Sequence, residues 1–155
     1  INFSIGSMDE QVWKTNEPGA PGPMARMEAM QFLVENGITA GVMMAPLLPG
    51  ISDSEESINE VAGAAAEHKA QFLGANVLFL KPGSKEWFMP MLRETYPHLT
   101  TAYDKMYRKT YAPKEYTRMV LKAVDKARWE WGLPVMEPTK DLRGQQRQLE
   151  LALTA

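Results

Sequence analysis

The stretch Ile38–Ser54, ITAGVMMAPLLPGISDS, constrains the fold of this chain more than any other. Val42, Met43, Met44 and Ala45 form a short apolar run, as expected of a strand buried on both faces in a parallel sheet. Pro46-Leu47-Leu48-Pro49-Gly50 follows. Neither proline has an N–H for a ladder, so strand pairing is expected to stop at Pro46. Ser52 with Glu55, or Asp53 with Glu56, then offers a capping box for a helix. The unit reads as strand, rigid loop, helix. In parallel α/β folds ligands bind beyond the C-terminal ends of strands, which makes this loop the first candidate for a site.

Units of the same kind flank it. Ile1–Ile5 alternates apolar with polar residues and suits a short strand. Met8–Lys14 suits a turn or short helix. Asn16–Pro23 is dense in Pro and Gly and reads as a loop. Pro23 suits the first turn of a helix over Met24–Asn36, with Met27, Met30, Leu33 and Val34 on one face and Gly37 just past its end. A second helix is expected over about Ser54–His68, with Ile58, Val61, Ala62 and Ala65 facing in. Phe72–Leu80 reads as a third strand ending at Lys81-Pro82-Gly83. The βαβαβ order, with crossovers of this length, predicts three parallel strands in sequential order, helices on one side and right-handed connections.

From Ser84 onward the pattern turns helical and aromatic. Helices are expected over Glu86–Tyr96, Leu99–Tyr107 and Pro113–Trp131, the last with Tyr116, Met119, Val120, Ala123, Ala127 and Trp131 at helical spacing. The chain thus divides into an α/β part (residues 1–83), a helical segment (84–133) and a polar tail (134–155), a weak helix or a disordered end.

The chain has no cysteine, which excludes thiolate ligands and thiol nucleophiles within these residues. The two histidines, His68 and His98, lie far apart in sequence, and no metal-ligand spacing is visible, so no metal site is expected. A net charge of −2 gives no overall field that would draw the protein to nucleic acid or anionic lipid. No apolar run approaches the roughly 20 residues of a membrane span, and no signal peptide is visible, so the expected location is the cytoplasm. Because the chain opens with Ile inside an apparent strand, it reads as a fragment of a longer protein.

Several residues could carry chemistry. The hydroxyls of Ser4 and Ser7, near the end of the first strand, could meet a ligand or close their own turn. Arg26 stands in the first turn of a helix, where a cation is mismatched with the helix dipole, so a carboxylate partner or a surface ion pair is expected. Glu17, in the Pro-rich loop, is either a site carboxylate or a solvated charge. Asn76 interrupts an apolar strand, and burial there would require a ligand or neighbouring backbone as partner. Met43 and Met44 point to opposite faces, one inward and one toward helices. Tyr103, Tyr107, Tyr111 and Tyr116 with Arg108 and Lys109 could form a platform for single-stranded nucleic acid or serve as helix core. Asp53, Glu55 and Glu56 read as a helix start. No nucleophile–base pair or phosphate-binding glycine motif is present.

Taken together, SIGSMDEQVWKTNEPG (Ser4–Gly19), PMARMEAM (Pro23–Met30), NGITAGVMMAPLLPGISDS (Asn36–Ser54), ANVLFLKPG (Ala75–Gly83) and YAPKEY (Tyr111–Tyr116) resemble the C-terminal half of radical SAM proteins related to spore photoproduct lyase, the SplB-like or Rv2578c-like group. The resemblance covers roughly Ile1–Leu133. It implies a partial (β/α)6 TIM-type barrel, of which the three strands would be the fourth to sixth. It implies two cofactors, S-adenosylmethionine and a [4Fe–4S] cluster held by a C-x-x-x-C-x-x-C motif that this chain lacks. The cluster ligands are therefore expected upstream, in an N-terminal half that would be this chain's partner. By strand position, Ser4 would meet the ribose or the methionine carboxylate, and Arg26 the carboxylate. Met44 and Ala45 would pack on the adenine, Asn76 and Leu78 would add wall contacts, and Glu17 would face the substrate. No residue matches the lyase's thiol hydrogen donor, so repair of DNA photoproducts is not implied. The alternative function is a non-catalytic module that binds protein or nucleic acid through Tyr103–Arg118.

Overall fold

The computed structural model describes residues 1–135, so nearly all of the polar tail lies outside the described residues. The element order is β1 (Asn2–Ser4), α1 (Glu10–Asn16), α2 (Pro23–Glu35), β2 (Gly41–Leu47), α3 (Glu55–Glu67), β3 (Leu73–Val77), α4 (Ser84–Thr95), α5 (Thr100–Met106) and α6 (Lys114–Glu130), with a 3-10 turn at Pro97–Leu99. The architecture is α/β, with a three-stranded sheet in the order β1-β2-β3, parallel throughout as expected. None of the described helices is long and apolar enough to cross a membrane.

Local chemistry explains the boundaries. Pro23, with no N–H to lose, opens α2, and the helix stops where Gly37 takes a φ of 78° while Ile38 N–H donates back to Leu33 O. α3 starts at Ser54, whose Oγ accepts from Ser57 N–H, with Glu55 and Glu56 favourably placed in the first turn. This corrects the expected capping boxes. Ser52 Oγ instead accepts from Leu48 N–H at 3.0 Å, and Asp53 Oδ1 accepts from Gly50 N–H at 2.7 Å. Both side chains fold the loop before the helix, so neither is left to cap it.

The middle strand runs past the expected stop. Val42, Met43 and Met44 pair with Leu73, Gly74 and Ala75; the register shifts and pairing resumes at Leu47 with Val77. Leu78 N–H still reaches Leu47 O at 2.9 Å. Pro46 breaks the ladder locally because it has no donor, and the flanking residues resume it.

Side chains alternate across the sheet. Val42, Met44 and Leu73 lie on the face shared with Met27 and Met30 of α2, Ile58, Val61 and Ala65 of α3, and Val120, Val124 and Ala127 of α6, in one continuous core. Contacts run from α2 to β1, α3 to β2, and α6 to both β3 and α3. Burying each large side chain here stabilises the fold by about 1.5–3 kcal/mol. Met119 faces out, contrary to its expected place at helical spacing with the inward residues of α6; Val124, one turn beyond Val120, is buried. Trp131, at the end of α6, lies against Gly63 of α3 and donates to Asn59 Oδ1. Beyond α6, Leu73 N–H donates to Pro134 O, and Val135 pairs parallel with Leu73 at the free edge of β3.

Candidate functional site

The strand ends and the loops that leave them enclose a cleft of about 670 Å³. That is within the range of about 300–1,000 Å³ typical of small-molecule sites. Its wall is mostly apolar. Gly6 and Ser7 follow β1, Ala45 and Pro46 end β2, and Asn76–Leu80 continue β3. Trp13, Asn16 and Glu17 come from α1 and its end, and Trp87, Phe88 and Met91 from α4. At Gly6 a Cβ would lie 2.9 Å from Pro46 O, so only glycine lets the β1 and β2 exits approach this closely.

The segment after β1 is built by local polar bonds. Ser7 Oγ accepts from Asp9 N–H, and Asp9 Oδ1 caps α1 by accepting from Gln11 and Val12 N–H. The helix ends at Glu17, and the Pro-rich loop returns with Gly22 under the Trp13 ring and Ala20 O accepting from Trp13 Nε1. Arg26, in the first turn of α2, reaches into this corner. Its Nη1 donates to Glu17 Oε2 and to Ser4 O, each at 2.6 Å. The mismatch with the helix dipole is thus resolved by a partly buried ion pair, with Arg26 at 14% and Glu17 at 32% side-chain exposure.

Two atoms in this corner are unmatched. Arg26 Nε and Asn16 Oδ1 are shielded from solvent and have no hydrogen-bond partner. An unmatched buried polar group costs about 1–3 kcal/mol. The Asn16 amide cannot simply be turned over, because Nδ2 donates to Val12 O at 2.8 Å and faces the Tyr96 hydroxyl at 3.4 Å.

The other two exits are held from behind by tyrosines. Tyr103 OH donates to Pro49 O and Tyr107 OH to Leu78 O, each at 2.8 Å, while Tyr116 OH donates to Asp53 Oδ2. Burial is the main cause that pushes all three phenols well above their ordinary pKa; interactions with neighbouring Asp53 add to it. They therefore remain hydroxyl donors across the neutral range. Further out, Leu80 N–H donates to Thr110 O, Phe79 pairs antiparallel with Tyr111, and Lys81 Nζ lies 5.6 Å from the Phe79 ring centroid.

Arg26, Glu17, Ala45, Asn76 and Leu78 come together on the cleft wall, and two of the expected site residues do not. Ser4 sits just outside, where its hydroxyl donates to Ala45 O at 2.6 Å and its carbonyl accepts from Arg26. Met44 is fully buried against the helices, because alternation along β2 puts it on the Val42 face; Met43 is the half-buried one. Asn76 is exposed, so burial places no demand on its amide. Glu17 holds Arg26 as well as facing the cleft. Tyr103 and Tyr107 are core residues, whereas Tyr111 is 65% exposed. Trp13, Asn16, Trp87 and Met91 were not expected at the site, and nothing in their local sequence marks them for it. Among the described residues no cluster of His, Asp or Glu is arranged to hold a metal ion.

The chain is similar in sequence to mycobacterial proteins and to an archaeal protein. The uncharacterized protein Rv2578c of Mycobacterium tuberculosis (strain ATCC 25618 / H37Rv) is 30% identical over 125 residues, covering 80% of this chain and 36% of that protein. The uncharacterized protein Mb2609c of Mycobacterium bovis matches to the same extent. The uncharacterized protein MJ0683 of Methanocaldococcus jannaschii is 27% identical over 126 residues, covering 81% of this chain and 44% of that protein. The chain therefore spans between a third and a half of the length of the curated relatives it matches. No family model matches it, and no solved structure does.

Proposed function

We propose that the chain forms part of a radical SAM protein related to spore photoproduct lyase, as the latter strands of a partial (β/α)6 barrel that supply walls for S-adenosylmethionine. The observation that carries this reading is the gathering of Arg26, Glu17, Ala45, Asn76 and Leu78 on one cleft at the C-terminal ends of three parallel strands. The similarity to Rv2578c supports grouping the two proteins together, and the relatives' greater length leaves room for a further half.

The donor set suits adenosylmethionine. Arg26 lines the cleft with Nη1 held by Glu17 and Ser4, and its guanidinium is the cation there that can meet a carboxylate. Ala45, Pro46 and Leu78 offer an apolar wall for the adenine. Ser4 serves as a lock, tying the β1 end to Ala45 O. Beside a reduced cluster, adenosylmethionine supplies 5′-deoxyadenosyl-radical chemistry. This chain's own residues do not fit the [4Fe–4S] cluster, having no cysteine to ligate it.

The test is equilibrium titration of the full-length protein with adenosylmethionine and with its decarboxylated analogue. Arg26→Ala should weaken adenosylmethionine binding by roughly 10- to 100-fold, the worth of a hydrogen bond to a charged group, and leave the analogue unchanged. Equal loss for both ligands would remove Arg26 from the carboxylate, and no binding of either by the wild type would end the reading. A second reading, a binding module for single-stranded nucleic acid, is favoured by exposed Tyr111 beside Phe79 and Lys81. Salt-dependent binding lost on Arg108→Ala or Lys109→Ala would mark it.

A further inference from the structure

We infer that the α4 side of the cleft, which the adenosylmethionine reading leaves unused, takes an uncharged, largely apolar substrate. The inference rests on that reading, because it names the class of molecule that would stand beside the cofactor.

The first observation is the charge of the wall. Among the described residues that line the cleft, only Arg26 and Glu17 are charged, and they hold each other at 2.6 Å. Arg26 is also the group that would meet the cofactor's carboxylate. The N-terminus of α4 reaches the wall at Gly83 and Ser84, where a helix favours negative charge. That charge is supplied by the helix itself, since Gly83 N–H donates to Glu86 Oε2. The lysines on either side are engaged elsewhere and do not line the cleft: Lys85 Nζ donates to Tyr107 O, and Lys81 Nζ lies over the Phe79 ring. A charged group entering this part of the cleft would lose its water and gain no partner, which selects against phosphates, carboxylates and ammonium groups alike.

The second observation is the apolar surface that the same wall leaves open. Trp87 on α4 is 61% exposed and Phe79, just past β3, is 44% exposed, and both line the cleft with Met91 and Leu80. Large side chains in water forgo their burial energy, and a ligand that covers them recovers it. The exposed polar residues of this region, Asn76 and Ser84, are neutral. They can orient an uncharged ligand by hydrogen bonds without calling for an ion.

The experiment titrates the full-length protein with N-phenyl-1-naphthylamine and with 8-anilino-1-naphthalenesulfonate, the same skeleton carrying an anionic group, each with and without saturating adenosylmethionine. The neutral probe should bind roughly tenfold more tightly than the sulfonate, and adenosylmethionine should not displace it. Trp87→Ala should weaken the neutral probe roughly tenfold while keeping a cooperative thermal transition. Trp129→Ala, which removes a more exposed tryptophan that does not line the cleft, should leave probe binding unchanged. Sulfonate binding as tight as that of the neutral probe overturns the inference, as does an unchanged affinity in Trp87→Ala. Displacement of the neutral probe by adenosylmethionine would give the apolar wall to the cofactor, and displacement by an oligothymidylate would give it to nucleic acid; either overturns the inference. In all these cases adenosylmethionine still binds and the cofactor reading stands. If the wild type binds no adenosylmethionine, that reading fails and the substrate assignment fails with it.

Discussion

Removing one hydroxyl from Tyr103 tests how the helical segment holds the cleft. Tyr103 is 1% exposed; its ring stacks on Phe88 with centroids 5.7 Å apart and meets Tyr107 at 5.5 Å, and its OH donates to Pro49 O. Tyr103→Phe keeps the ring contacts and leaves a buried carbonyl unmatched, at a cost of about 1–2 kcal/mol. Tyr103→Ala also empties the ring's volume and should cost about 3–5 kcal/mol, a large part of a typical stability of about 5–15 kcal/mol. The same hydroxyl gives a pH signature. Burial raises the folded-state pKa of Tyr103 well above the unfolded value of about 10. A raised acid pKa means that the folded chain keeps a proton the unfolded chain releases. That stability is fully present below about pH 10 and is lost as pH rises through that value toward the folded pKa. Each such tyrosine can steepen the alkaline fall by at most about 1.4 kcal/mol per pH unit. Urea denaturation between pH 8 and 11 should show a flat region and then a fall, with Tyr103→Phe less stable at pH 8 and falling less steeply. An unchanged midpoint at pH 8, together with an alkaline slope equal to that of the wild type, would refute the claim that this hydroxyl is buried and engaged.

Two further outcomes follow from close contacts. Gly41→Ala would put a Cβ 2.5 Å from Phe72 O and 2.7 Å from its ring, where β2 meets β3, and should destabilise by about 1–3 kcal/mol in thermal or urea unfolding; an unchanged midpoint would contradict that packing. Tyr116→Phe and Asp53→Ala break one bond that joins α6 to the loop after β2, so a double-mutant cycle read by urea unfolding should give a coupling of at least about 0.5 kcal/mol, and strict additivity would deny the contact.

The βαβαβ order was legible because it rests on local periodicity: Met27 and Met30, Ile58 and Val61, and the apolar run from Val42 each announce their own element. Details that depend on distant partners were not. By sequence Ser52 and Asp53, each three residues before a glutamate, are the helix starters, and Ser54 caps instead because Ser52 is drawn to Leu48 N–H and Asp53 to Gly50 N–H. Pro46 was a reasonable strand end, yet β3 supplies pairing beyond it at Leu47. Arg26 was legible through its conflict with the helix dipole, although Glu17, nine residues earlier, is its partner through a loop closure that spacing does not encode. Asn16 and Trp87 carry no local signal, because their places on one cleft wall depend on how α4 packs back after β3.

The tyrosines change what the helical segment means. By pattern, helical spacing reads Tyr103, Tyr107 and Tyr116 as helix core, with a surface platform as the minor alternative. Their rings and hydroxyls do two things at once: the rings of Tyr103 and Tyr107 pack on each other and on Phe88 of α4, and the three hydroxyls end on Pro49 O, Leu78 O and Asp53, the backbone and side-chain acceptors of two strand exits. Hydrogen bonds from buried, neutral phenols have few competing partners, so each fixes its loop to within a bond length. The exits of β2 and β3 are therefore positioned by residues 103–116 as much as by the sheet. A change in that segment should alter the cleft wall at Pro46 and Leu78 without touching it, and the helical segment belongs to the site's own scaffold.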